Sequence, residues 1–370
     1  NAETYVLLGI ALARKEEHST AIEHFLKAIE IRPAFLEAHY NLAIALRQQG
    51  NNEEAIEAFQ HVIELQPDHH QARFSLGMIL LQGGMTTESI KQFTELTRRQ
   101  PELAEYRNWL GVALLSRGDL LRATDEFRRA IQDEPGLIRA YNNLGTTLAR
   151  LGEYEEAVEV LELALKRQPE NAQVRLNLAT TLRSRGDAAD ALVHLEVLRK
   201  RFPKEPNIHY QRAHALKQIG NLDNAAIGYE DALSLDPEFL DAYHGLASTL
   251  RQLAASRRPK RQSHEADSSP LNLSYENARR AFDKQDFENT RKHLDEILGL
   301  DASYAPAHNL YGLVLSSEGE LEQAVRHFQR AIELLPERAN FHFNYGAALW
   351  YTGRRLEAVE VLKTSVYLDS

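Results

Sequence analysis

The sequence predicts an all-α solenoid of stacked antiparallel helix pairs, and three observations in its 370 residues predict it. Proline returns at Pro33, Pro67, Pro101, Pro135, Pro169, Pro203 and Pro237, each 34 residues after the last, and Pro336 resumes the pattern after a break in phase. Glycine keeps the same interval at Gly50, Gly84, Gly118, Gly152, Gly186 and Gly220, with Gly319 and Gly353 after the break. Between these markers apolar residues recur by threes and fours, the spacing of a helix face and not of a strand. A fixed period of this length marks a repeat architecture. One such unit cannot bury its apolar face alone, so neighbours must stack.

The unit is legible in Leu137–Glu170. Its first helix carries Ile138, Tyr141, Leu144, Leu148 and Leu151, and its second carries Ala157, Val158, Leu161 and Ala164. Gly152 ends the first helix, where a left-handed backbone costs little without a Cβ. Glu153, Glu155 and Glu156 open the second, favoured by the positive end of the helix dipole. Pro169 blocks continuation. Small residues at Gly145 and Ala157 let the two helices approach closely.

Composition narrows the function. Against 43 Lys and Arg stand 53 Asp and Glu, a net charge of −10, which argues against nucleic acid as a partner. No apolar run approaches the roughly 18 residues of a membrane span. The chain has no cysteine, which removes disulfides, Cys-ligated zinc, iron–sulfur clusters and thiol nucleophiles. Neither G-x-x-x-x-G-K-[ST], a strand-to-helix G-x-G-x-x-G, HExxH nor G-x-S-x-G occurs, so no enzyme activity, cofactor or metal is expected. His39, His209, His308 and His342 share the aromatic position of the first helix, where packing is expected and not metal binding.

Followed in order, the repeats read Tyr5, Leu8-Gly9, Leu12, Ala21, Phe25, Ala28, Pro33; then Leu42-Ala43, Leu46, Ala55, Phe59, Pro67. The third keeps Leu76-Gly77, Leu80, Phe93 and Pro101 with Ser89 for the usual alanine. The fourth has Leu110-Gly111, Leu114, Ala123, Phe127, Ala130 and Pro135. This order of aromatic, Leu-Gly, Ala, Phe/Tyr, Ala, Pro resembles the tetratricopeptide (TPR) repeat family over nearly the whole chain. The resemblance implies a right-handed TPR superhelix of about eleven repeats with a protein-binding groove.

The eighth repeat starts with Tyr243, Leu246 and Leu250 and then fails. Ala254 to Pro270 has no large apolar residue and two prolines, so a polar linker is expected there, basic at Arg257-Arg258-Pro259-Lys260-Arg261. The expected organisation is a TPR block over 1–253, the linker at 254–270 and a second block over 271–370. The eleventh repeat shows no capping helix, which leaves Val359, Val361, Leu362 and Val366 as an expected open face. Head-to-tail contact of that face with the Tyr5, Leu8 and Leu12 end of another copy is one expected mode of self-association.

In TPR proteins the first helices line the groove. The resemblance places Tyr40, Asn41, Arg47, Phe74, Asn108, Asn142, Asn143, Thr146, Arg150, Asn177, Arg183, Tyr210, Lys217 and Arg251 there. Asparagine can both donate to and accept from a peptide backbone. The run Asn41, Asn143, Asn177 and Asn344 resembles the TPR superhelix of O-linked N-acetylglucosamine transferases, interrupted by Ser75, Trp109, Gln211 and Gly245. Arg47, Arg183, Lys217 and Arg251 share one late position of the first helix and Arg14 and Arg150 the next, which suits an acidic or C-terminal segment. The lysine position of a chaperone-type carboxylate clamp holds Val6, Tyr40, Phe74, Asn108, Asn142 or Leu176, so chaperone tails are not the expected partner. The leading expectation is a non-enzymatic scaffold that holds an extended peptide or partner helix. The alternatives are a self-assembling filament or ring, and the substrate-recruiting arm of a larger glycosyltransferase or sulfotransferase.

Overall fold

The computed structural model describes residues 1–257 and 270–368, and helix is the only regular structure among them. Along the chain the helices come in pairs: α1 (Ala2–Ala13) and α2 (His18–Ile31), α3 (Leu36–Gln49) and α4 (Asn52–Leu65), α5 (His70–Gln82) and α6 (Thr86–Arg99). Next are α7 (Ala104–Arg117) and α8 (Leu120–Asp133), α9 (Ile138–Leu151) and α10 (Tyr154–Arg167), α11 (Ala172–Arg185) and α12 (Ala188–Arg201). Then come α13 (Pro206–Gln218) and α14 (Leu222–Leu235), followed by a single helix α15 (Leu240–Arg257). The last pairs are α16 (Pro270–Asp283) and α17 (Phe287–Leu300), α18 (Ala305–Ser317) and α19 (Leu321–Leu334), α20 (Ala339–Tyr351) and α21 (Arg355–Leu368). The chain divides into two compact units, Asn1–Leu198 and Arg199–Ser370.

Packing in the first unit follows the repeat. Phe25, Phe59, Phe93 and Phe127 are fully buried, one each from α2, α4, α6 and α8. Opposite Phe25, Phe93 and Phe127 stands a helical glycine, and opposite Phe59 stands Ala43; a Cβ built on Gly111 would lie 2.6 Å from Phe127 Cε1. Where the ring becomes Leu161, the same clash recurs at Gly145, 2.5 Å from Cγ. Gly152 closes α9 in the left-handed conformation at φ 85°, and its N–H returns to the carbonyls of Leu148 and Ala149. Buried alanines at Ala21, Ala55, Ala123 and Ala157 keep the paired helices close.

A second periodic contact ties each repeat junction. The residue six places after the repeat proline donates to that proline's carbonyl: Arg73 at 3.1 Å, Tyr141 at 3.2 Å and Arg175 at 2.7 Å. Histidine does the same at His39, 2.7 Å from Pro33 O, at His209, 2.8 Å from Pro203 O, and at His342, 2.8 Å from Pro336 O. A carbonyl only accepts, so Nε2 carries the proton in each of these rings. These histidines are junction ties, which gives the expected packing role a specific hydrogen bond.

In the second unit, Phe328 packs against Gly312 as Phe127 does against Gly111. Two features depart from expectation. Helix α15 runs to Arg257 and α16 begins at Pro270, so helix overlaps both ends of the expected linker; residues 258–269 lie outside the described residues. Helix α21, with its outer face expected to be open, packs against α15, whereas Leu362 lies against Gly346 of its own repeat. Leu362 is buried and Val359 and Val361 are half-buried, while the side chain of Val366 lies outside the description.

Candidate partner-binding face

Successive first helices touch one another, as α7 does with α9 and α9 with α11, whereas second helices meet the first helices before and after them. The first helices therefore line one face of each unit. In the second unit the same holds for α13 with α15 and for α18 with both α16 and α20.

On the first unit's face, Tyr40, Phe74, Tyr106 and Trp109 are half-buried and form an aromatic run. Phe74 stands 5.8 Å from Tyr106 and 6.2 Å, edge to face, from Trp109, while Trp109 stacks on Phe93 at 6.4 Å. Tyr40 lies against His69 at 4.6 Å, and burial raises its phenol above the usual range despite the opposing charge of Arg47. Tyr106 is raised as well, by burial first and by Glu105 and Glu102 after it.

Beyond Trp109 the face turns polar. Asn143 donates from Nδ2 to Asn108 Oδ1 at 2.9 Å, and Asn177 donates to Asn142 Oδ1 at 2.7 Å. Asn108 is only 1% exposed, so it is removed from the partner-facing set; its amide is consumed in tying α7 to α9. Asn41 turns back on its own helix, donating to Glu37 O at 2.8 Å. Thr146 likewise donates to the carbonyls of Asn142 and Asn143, both at 3.0 Å. Much of the expected asparagine ladder is thus inter-repeat structure, and its half-buried members keep spare donors and acceptors at the surface.

Arg150 is exposed at the end of α9 and Arg47 is half-buried at the end of α3; among the described residues neither has an acid within ion-pair distance. Several other arginines of the unit are paired, such as Arg139 with Glu105 at 2.7 Å and Arg128 with Glu156 at 2.7 Å. Arg183 is half-buried at the end of α11.

On the second unit's face Tyr210 packs against Phe239 at 5.0 Å and Tyr229 at 5.9 Å. Lys217 donates from Nζ to Ser248 Oγ, linking α13 to α15, and burial lowers its pKa. The side chain of Arg251 falls outside the described residues. Tyr275, at the same repeat place as Tyr40 and Tyr210, lies 5.7 Å from Tyr304 and is pushed up to about 12 by burial.

Sequence reasoning missed the arginines that serve the proline carbonyls and the role of Trp109. Their signal is positional: a hydrogen-bonding side chain recurs six places after the proline, and the aromatic pair Phe74 and Trp109 occupies the two places that hold asparagines one repeat later. Among the described residues no group of three or more His, Asp or Glu could hold a metal ion, and no helix is long and apolar enough to cross a membrane.

Tetratricopeptide repeat models match residues 2–35, 36–69, 86–137, 114–179, 151–218 and 206–239, and a TPR repeat model matches 312–353. Among solved structures, a tetratricopeptide repeat protein from Parabacteroides merdae ATCC 43184 shares the fold at TM-score 0.54 and 17% identity, over 67% of this chain and 98% of that one. MamA from Desulfovibrio magneticus RS-1 is 20% identical over 46% of this chain and 96% of its own, with a TM-score of 0.44. YrrB, described as a TPR protein with an unusual peptide-binding site, is 20% identical over 60% of this chain and 96% of its own, at TM-score 0.39. No curated protein matches the sequence. With repeat models covering well over half of it, and with the fold shared, the chain belongs to the tetratricopeptide repeat family.

Proposed function

We propose that the chain is a non-enzymatic scaffold that holds an extended, acidic protein segment along the first-helix face of its N-terminal unit. The observation that carries this reading is the change of character along that face. A half-buried aromatic run at Tyr40, Phe74, Tyr106 and Trp109 gives way to amides and then to the exposed, unpaired cation of Arg150. Aromatic surfaces supply apolar contact at small entropic cost, and amides such as Asn142 and Asn177 suit a peptide backbone. In a chain of net charge −10, a cation without an acid beside it is a place where a carboxylate of a partner is favoured.

The test uses fluorescently labelled acidic and neutral peptides of the same length, with fluorescence anisotropy as the readout. Arg150→Glu combined with Arg183→Glu is expected to weaken the acidic peptides at least several-fold and the neutral ones little. Unchanged affinity, with the helical circular dichroism intact, would move the site elsewhere.

A further inference from the structure

The eighth repeat has a first helix, α15, but its sequence offers no second. Elsewhere the residue six places after the repeat proline meets that repeat's own second helix. His39 stands 4.4 Å from His61, Arg73 donates to Gln92 Oε1 at 3.0 Å, and His308 lies 5.4 Å from His327. Tyr243 holds that place in the eighth repeat, and it meets Trp350 of α20 instead, edge to face at 4.8 Å. His244 lies 5.6 Å from the same indole. Helix α21 packs on α15, and its Lys363 reaches Glu230 of α14 at 3.4 Å.

The apolar face of α15 is consequently covered, although the sequence of the eighth repeat offers no apolar second helix to cover it. Ala242, Tyr243, Leu246, Thr249, Leu250 and Leu253 are all at most 5% exposed, and α13, α14, α20 and α21 all meet α15. We propose that α15 carries a helix-docking surface, and that its occupant is the last repeat of the same chain, α20–α21, standing in for the second helix that the sequence of the eighth repeat does not offer. The contact serves both partners. It covers α15 and, at the same time, one flank of α21. The charge pair Glu230–Lys363 gives the docking its register.

The chain has no native cysteine, so an introduced pair supplies its only thiols. In the full chain carrying Glu230→Cys and Lys363→Cys, both at partly exposed positions, a short bis-maleimide is expected to give an intrachain bridge. The product should run as a monomer on a denaturing gel, with the joined peptides identified by mass spectrometry. A bridge found only in dimers would transfer the occupant to a second copy and overturn docking in cis. Absence of any bridge, with both thiols reactive to a mono-maleimide, would overturn the docking itself. As a second measurement, Trp350→Ala is expected to speed amide exchange in α15 several-fold and to leave α5–α9 unchanged. Unaltered exchange in α15 would contradict the docking of α20–α21 on it.

Discussion

Asn143 donates from Nδ2 to Asn108 Oδ1 at 2.9 Å, one repeat and one residue apart, and this bond is a standard joint of the molecule. It recurs between Asn177 and Asn142 at 2.7 Å and, in the second unit, between Asn344 and Asn309 at 2.9 Å. One repeat earlier the same two places hold Phe74 and Trp109 in an edge-to-face contact at 6.2 Å. At these two places the joint is made by paired amides at three junctions and by paired rings at a fourth.

Because Asn108 is 1% exposed, Asn143→Ala leaves a buried carbonyl oxygen without its donor. The expected cost is about 1–3 kcal/mol. Chemical denaturation of single and double variants checks it: Asn108→Ala with Asn143→Ala should cost less than the two singles summed, and strict additivity would mean that the bond carries no coupling.

Gly111→Ala should destabilise the first unit by about 1–3 kcal/mol, since the added methyl meets Phe127 Cε1 at 2.6 Å inside a packed interface. Adding Phe127→Leu, the pairing that Gly145 has with Leu161, does not make room, because that glycine is equally tight at 2.5 Å. Thermal melts of the two variants should both fall below the parent. A Gly111→Ala melt equal to the parent's would refute the close approach.

Acid should loosen both units through two histidines. His327 is held below its ordinary 6.5 by burial first, then by His308 and Arg326, with Asp295 opposing. His194 is held below 6.5 by burial and Arg175, with Glu162 and Asp190 opposing. A lowered folded pKa means that the unfolded chain takes up the proton first as pH falls. Stability is thus full above about 6.5 and declines below it, toward the lowered folded value. The melting temperature should drop between pH 7.5 and pH 5.5, and less so in His327→Gln. An equal drop in that variant would remove His327 as a cause.

Binding of an acidic peptide to the first unit should weaken as ionic strength rises, because Arg150 is exposed and its attraction is screened. Arg150→Gln should flatten that salt dependence; a slope identical to the parent's would separate Arg150 from the bound segment.

The repeat unit, its helix boundaries and its core were legible in the sequence because they rest on local and periodic physics. A glycine that closes α9 at φ 85° and a buried Phe127 against Gly111 follow from residue type and spacing alone. The asparagines were legible as a row on the first helices but not as pairs. Whether an amide points to solvent or to Asn108 depends on the offset between adjacent repeats, which spacing within one repeat does not set. The same holds for the aromatic run, whose members become neighbours only when α5 and α7 pack side by side. The largest difference lies at α15. The sequence of its repeat offers no apolar second helix, but that says nothing about what covers the face of α15. Only the tertiary structure brings Trp350 to Tyr243, because burying an apolar surface is non-directional and accepts any helix of fitting shape, however distant in the chain.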